Sequence, residues 1–155
     1  MSKTLTRLVL VSVLAMLPLA SVAAQQAPAG TETLAMRLQA RHPRDVPSAE
    51  RLSNDADRVR LRWLAEHHTR PLVRARALLL LASDPSAETR SLVLRVLDSH
   101  APALVRAAAL QATTTWTLDA ALRARLERLA HESDPRLQRP ARERLATARR
   151  PSTTD

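Results

Sequence analysis

The side chains in this sequence that could do chemistry are five histidines, a few serines beside acids, and a large excess of arginine. The histidines are His42, His67, His68, His100 and His131, and none falls in a His-x3-His or His-Glu-x-x-His pattern, the spacing that turns two helical imidazoles toward one metal. The nearby acids Asp55, Asp57 and Glu66 are not at ligand spacing either. Most of the histidines stand at breaks or at the ends of periodic segments, where an imidazolium suits the negative end of a helix dipole. Capping is the expected role, and His67-His68 is the one pair close enough to share a surface metal.

Ser83-Asp84 and Ser133-Asp134 set a hydroxyl beside a carboxylate, but each precedes a proline and a periodic segment, which is the place of a helix N-cap. The sequence has no Gly-x-Ser-x-Gly elbow and no cysteine, which excludes disulfides, thiolate metal sites and cysteine nucleophiles. Gly30 is the single glycine, so there is no phosphate-cradling loop. No catalytic residue, resident metal or cofactor is expected, and the chain reads as a non-enzyme.

Arginine is left as the residue with binding potential. Arg74, Arg106 and Arg139 recur at intervals of 32 and 33 residues, and Arg123, Arg125 and Arg128 lie between the last two. Guanidinium binds carboxylates and phosphates bidentately, so a row of such groups on one face would suit an anionic partner. The competing expectation, which carries more weight, is that the row pairs internally with acids of neighbouring helices.

The elements that must position these residues begin after a leader. Met1 to Arg7 is polar and positive, Leu8 to Ala20 is apolar but short for a membrane span, and Val22-Ala23-Ala24 supplies small residues for signal peptidase. A cleaved signal peptide over 1–24 is expected, with the protein periplasmic or secreted. Lys3 and Arg7 are two of the 24 basic residues and the leader holds no acid, so 22 arginines then face 15 acids, a mature charge of +7. Export disfavours double-stranded nucleic acid as a partner, and two tryptophans as the only aromatics disfavour single-strand stacking.

Residues 25–47 read as a linker with one short helix, capped by Thr31 and carrying Leu34 and Leu38 on its apolar face. Pro43 and Pro47 interrupt it, and a new element is expected near Ser48. From 48 to 150 the text is helical in almost every window, and 151–155 is expected to be a disordered tail. Within the helical region Arg70-Pro71-Leu72-Val73-Arg74, Pro102-Ala103-Leu104-Val105-Arg106 and Pro135-Arg136-Leu137-Gln138-Arg139 each follow a break and open a helix. Between them lie helices over Ser53 to His67, Pro85 to Asp98 and Thr117 to His131, with apolar stripes of Ala56, Val59, Trp63 and Leu64, of Val93, Val96 and Leu97, and of Leu118, Leu122, Leu126 and Leu129. Asp84 and Asp134 are the expected N-caps. In the third unit Pro140 replaces the alanines at 75 and 107, which predicts a kink or a fresh helix start, and a polar outer face suits the end of a repeat array.

A helix pair every 32 or so residues, with Pro-x-Leu-x-Arg opening its second helix, resembles the HEAT repeats, in particular the short phycobilisome-lyase-type repeats of exported bacterial proteins. The resemblance covers Ser48 to Arg150. It rests on Asp134-Pro135 with Arg139, and on Arg74 with Ala77-Leu78 and Arg106 with Ala109-Leu110. It implies an all-α, short right-handed α-solenoid of about three hairpins acting as a scaffold that binds another protein. The family's aspartate-arginine ladder needs an Asp that the first two copies lack, so Arg74 and Arg106 must find other acceptors. The alternative function is binding of an anionic ligand, a glycolipid phosphate or other polyanion, by the arginine row. Three repeats are near the minimum for a self-sufficient array, so either marginal stability or a homodimer through the first helix pair is expected.

Overall fold

The computed structural model describes residues 26–149 except 53. The expected leader and the 151–155 tail lie outside the described residues. Gly30 opens the first helix, α1 (Thr31–Leu38), with φ 80° and ψ 0°, a left-handed conformation that a Cβ makes costly. Leu34 and Leu38 are buried as expected, but the cap differs: Thr31 is already helical, and its hydroxyl donates back to the carbonyl of Pro28. The proline-bearing stretch that follows forms two short 3-10 turns, Pro43–Asp45 and Ala49–Leu52.

Six further helices follow: α2 (Asp55–His67), α3 (Pro71–Leu80), α4 (Ala87–Asp98), α5 (Ala103–Ala112), α6 (Ala120–Leu129) and α7 (Pro135–Arg149). The protein is all-helical among the described residues, with no strand. Local chemistry sets most of the starts. Asn54 Oδ1 accepts the Asp57 amide at 2.8 Å, and Asp119 Oδ1 accepts the Leu122 amide at 2.8 Å, which places the start of α6 three residues later than the apolar stripe predicts. Asp134 Oδ1 accepts the Arg136 amide at 2.8 Å, with Pro135 at the first helical position, as expected.

Asp84 does not cap α4. Ser86 does, its hydroxyl accepting the Thr89 amide at 3.3 Å, because Pro85 is followed by one more extended residue before the helix begins. In α7 the helix runs through Pro140 and neither begins nor ends there.

The helices pair in sequence as α2 with α3, α4 with α5, and α6 with α7. The second members pack on one another in order, α3 on α5 and α5 on α7; the first members do the same less extensively, α2 on α4 and α4 on α6. The α3–α5 contact is the most extensive between helices, and buried alanines at 75, 77, 108, 109 and 112 explain the close approach. The core lies between the two rows and is built mainly of leucine, with Leu38, Leu64, Leu78, Leu97, Leu122, Leu126 and Leu137 almost wholly enclosed. Each such side chain contributes about 1.5–3 kcal/mol by leaving water. α1 joins this core rather than hanging outside it, packing on both α2 and α3.

The inner stripe of α2 differs from the sequence expectation. Leu61, Leu64 and Ala65 are its buried residues, whereas Ala56 is exposed and Val59 is 43% exposed. This helix carries apolar residues on more than one side, so periodicity alone does not choose the face; the approach of α3 and α4 does. α7 buries Leu137, Ala141 and Leu145 and exposes Arg136, Arg139, Arg142 and Glu143.

Candidate functional site

The arginines are placed by one recurring device. Arg74 Nε donates to the carbonyl of Ala65 at 2.9 Å, and Arg106 donates to the carbonyl of Leu97 from Nε at 3.3 Å and from Nη2 at 3.2 Å. Both carbonyls belong to the last turn of the preceding helix, where no backbone N–H remains to satisfy them and the helix dipole is negative. Each bond spans nine residues, so the device repeats with the hairpin. Similar bonds tie neighbouring elements: Arg76 Nη1 reaches the carbonyls of Leu38 (2.6 Å) at the end of α1 and of Ala40 (2.7 Å) just beyond it, and Arg60 Nε reaches that of Ala29 (2.6 Å).

Arg139 does not take part. It is largely exposed and pairs along its own helix with Glu143 at 2.8 Å; the carbonyl nine residues before it, Ala130, is taken by Arg142 Nε at 2.9 Å. Arg123 is exposed on α6. Arg125 Nε donates to Asp98 at 2.8 Å and Arg128 Nη2 donates to the same carboxylate at 2.7 Å. Arg106 also forks onto Glu132, with Nη1 2.9 Å from Oε2 and Nη2 bonded to Oε1. The structure thus brings Arg106, Arg125 and Arg128 around one cavity of 150 Å³ with Asp98 and Glu132, and leaves Arg74, Arg123 and Arg139 elsewhere.

Charge is also compensated between first-row helices. Arg95 of α4 meets Glu66 of α2 at 3.0 Å, one repeat before the Arg128–Asp98 pair. Asp84, 4% exposed, accepts from Ser86 Oγ (2.9 Å), the Ser86 amide (3.2 Å), Arg62 Nη1 (3.2 Å) and Thr89 Oγ1. Burial pushes its carboxyl upward, but the hydrogen bonds from Thr89 and Ser86 and the nearby charge of Arg58 outweigh that, so the group sits below its ordinary value.

The histidines do not gather. His67 Nδ1 lies 3.1 Å from the Trp63 carbonyl, which can only accept, so this nitrogen carries the proton; His68 Nδ1 instead accepts the Arg70 amide at 3.0 Å. The two adjacent rings therefore use the same nitrogen for opposite tasks. Among the described residues no three His, Asp or Glu side chains come together as a metal site.

A further concavity, between α5 and α7, was not legible in the sequence. It measures 660 Å³, with Ala107, Leu110, Trp116, Leu118 and Pro140 as apolar walls and Gln111, Thr114, Arg136, Glu143 and Arg144 as polar ones. Arg144 Nη2 donates to the Trp116 carbonyl at 2.7 Å and Nη1 to that of Thr114, while Nε is buried without a partner. Burial pushes this guanidinium below its ordinary pKa. On its other side Trp116 lies under Arg90, whose guanidinium carbon is 5.1 Å from the ring centre. The only local signal in the sequence is the polar Thr113–Thr117 stretch, which lengthens the turn between the second and third hairpins. No helix among the described residues is long and apolar enough to cross a membrane. Comparison with protein-family models, with curated proteins and with solved structures gives no match.

Proposed function

We propose that the chain is a non-catalytic interaction module: a short right-handed α-solenoid of HEAT-like hairpins, exported on a cleaved leader, that lays its second-row helices against another protein in the periplasm. The observation that carries this reading is a matched pair of leucines. Leu72 on α3 and Leu104 on α5 are each 44% exposed, at the same turn of successive units, whereas Leu137 of the end unit is 1% exposed. Large apolar side chains left in water at the repeat interval are what the apolar strip of a partner protein covers. The polyanion reading is weaker, because Arg74 and Arg106 direct donors at backbone carbonyls and Arg106 is also held by Glu132. A homodimer through the first helix pair is also disfavoured, since α1 occupies a face of that pair, and we read the chain as a monomer.

The test uses the full chain produced with its leader. N-terminal sequencing of the periplasmic form is expected to begin at Gln25. Affinity capture from periplasmic extract is expected to retain a protein in constant proportion on the native chain and to lose it on the L72E/L104E double variant. Identical profiles for the two, or no retained protein, contradict the reading.

A further inference from the structure

The α5–α7 groove points to a ligand of its own, in the same second row of helices as Leu72 and Leu104 but lined by other residues. We propose that it binds a single-chain amphiphile with an anionic headgroup, such as a fatty acid, with the chain against Leu110, Trp116, Leu118 and Pro140 and the headgroup at Arg144 and Arg136.

Size is the first support: 660 Å³ falls in the range of roughly 300–1,000 Å³ usual for pockets that enclose small molecules. Lining chemistry is the second. The walls are aliphatic and aromatic along much of the groove, and the charged groups belong to α7, which suits a molecule apolar along its length and charged at one end. A polyanion would meet mostly hydrocarbon there.

Charge decides the sign of the headgroup. Arg136 and Arg144 line the groove against one acid, Glu143, and that carboxylate is already engaged by Arg139 Nε at 2.8 Å. Arg144 has no carboxylate within ion-pair distance among the described residues. Its two bonds go to neutral carbonyls, and its Nε has no acceptor. A guanidinium carries five N–H donors, so each terminal nitrogen keeps one more to offer. A partly desolvated cation short of acceptors is stabilised by an anion that reaches those donors.

Trp116 reports on occupancy. In W63F it is the sole tryptophan, and its emission is titrated with sodium dodecanoate kept below its micellar range, in parallel with neutral dodecanol. The expected result is saturable one-to-one binding of dodecanoate, with dodecanol at least tenfold weaker. Q111E, which adds a carboxylate at an exposed wall position, is expected to weaken dodecanoate at least tenfold, as is R144Q; because R144Q also loses two bonds to backbone, Q111E carries the test if R144Q fails to fold. Equal affinity for dodecanol, indifference to Q111E, or no saturable change overturns the proposal. Elution as a dimer, with Trp116 emission that follows protein concentration alone, assigns the groove to a second copy of the chain and also overturns it.

Discussion

Arg142 donates from Nε to the carbonyl of Ala130 at 2.9 Å, filling in the third hairpin the place that Arg74 and Arg106 fill in the first two. The donor has moved one turn along the helix, from the position that matches the repeat to one three residues later, while the acceptor has kept its place. The carbonyl at the end of the first helix is therefore the fixed feature of each unit, and the arginine that reaches it is interchangeable. Three arginines, Arg74, Arg106 and Arg142, go to such ends. A cation at a helix C-terminus contributes about 0.3–1 kcal/mol through the dipole, and more when partly buried.

Asp84 ties the turn after the first hairpin to both α2 and α4, and its loss is expected to be felt in the whole fold. D84N removes a charged acceptor from Arg62, Ser86 and Thr89 and should cost about 2–3 kcal/mol at neutral pH, measured by urea denaturation. The carboxyl titrates lower in the folded chain than in the unfolded one, so its contribution is complete above the unfolded value, about pH 4, and is lost as pH falls through the folded value. The gap between the native chain and D84N should hold from pH 7 to about 5 and close as the solution is acidified further. A gap that widens on acidification contradicts this account.

Gly30 holds α1 against the first hairpin through a backbone shape rather than a contact. G30A introduces a Cβ at φ 80°, where it would stand 3.3 Å from Arg60 Nε. The expected cost is about 1–2 kcal/mol, and it should be local. Hydrogen exchange should show faster opening of α1 with little change in α5. Uniform loss of protection across both helices would mean that α1 is not a separate attachment.

Pro140 leaves the carbonyl of Arg136 without its helical donor. P140A supplies that donor and a better helix former, and should raise stability by about 1–3 kcal/mol, read as a higher thermal midpoint. Since Pro140 also lines the groove, the same variant is expected to weaken dodecanoate there. Lower stability in P140A would show that the ring's packing outweighs the missing bond.

The sequence made the helix pairing legible because the proline starts and the leucine spacing are local signals. The three second helices open at Pro71, just after Pro102 and at Pro135, and the leucines at 64, 97, 122 and 126 are inside. What it hid depends on neighbours distant in sequence. Val59 and Leu61 are equally apolar, and only the approach of α3 and α4 decides which is buried. Asp84 stands where an N-cap belongs, yet one extra extended residue hands the cap to Ser86 and frees the carboxylate for Arg62, 22 residues away. Arg139 keeps the repeat spacing, but the bond that spacing implies is made by Arg142. The groove joins Trp116 from a turn to Arg144 of α7, 28 residues on, and no local pattern announces such a meeting.

The claim on which the account rests is that guanidinium-to-carbonyl bonds, not the repeat position of an arginine, fasten the helices of each pair. R142Q and R139Q place the same substitution on one helix, three residues apart, and their stabilities by urea denaturation compare the two directly. R142Q is expected to cost about 1–2 kcal/mol and R139Q under about 0.5, because the first loses a bond to Ala130 and the second an exposed pair. Equal effects, or a larger loss in R139Q, would contradict the account.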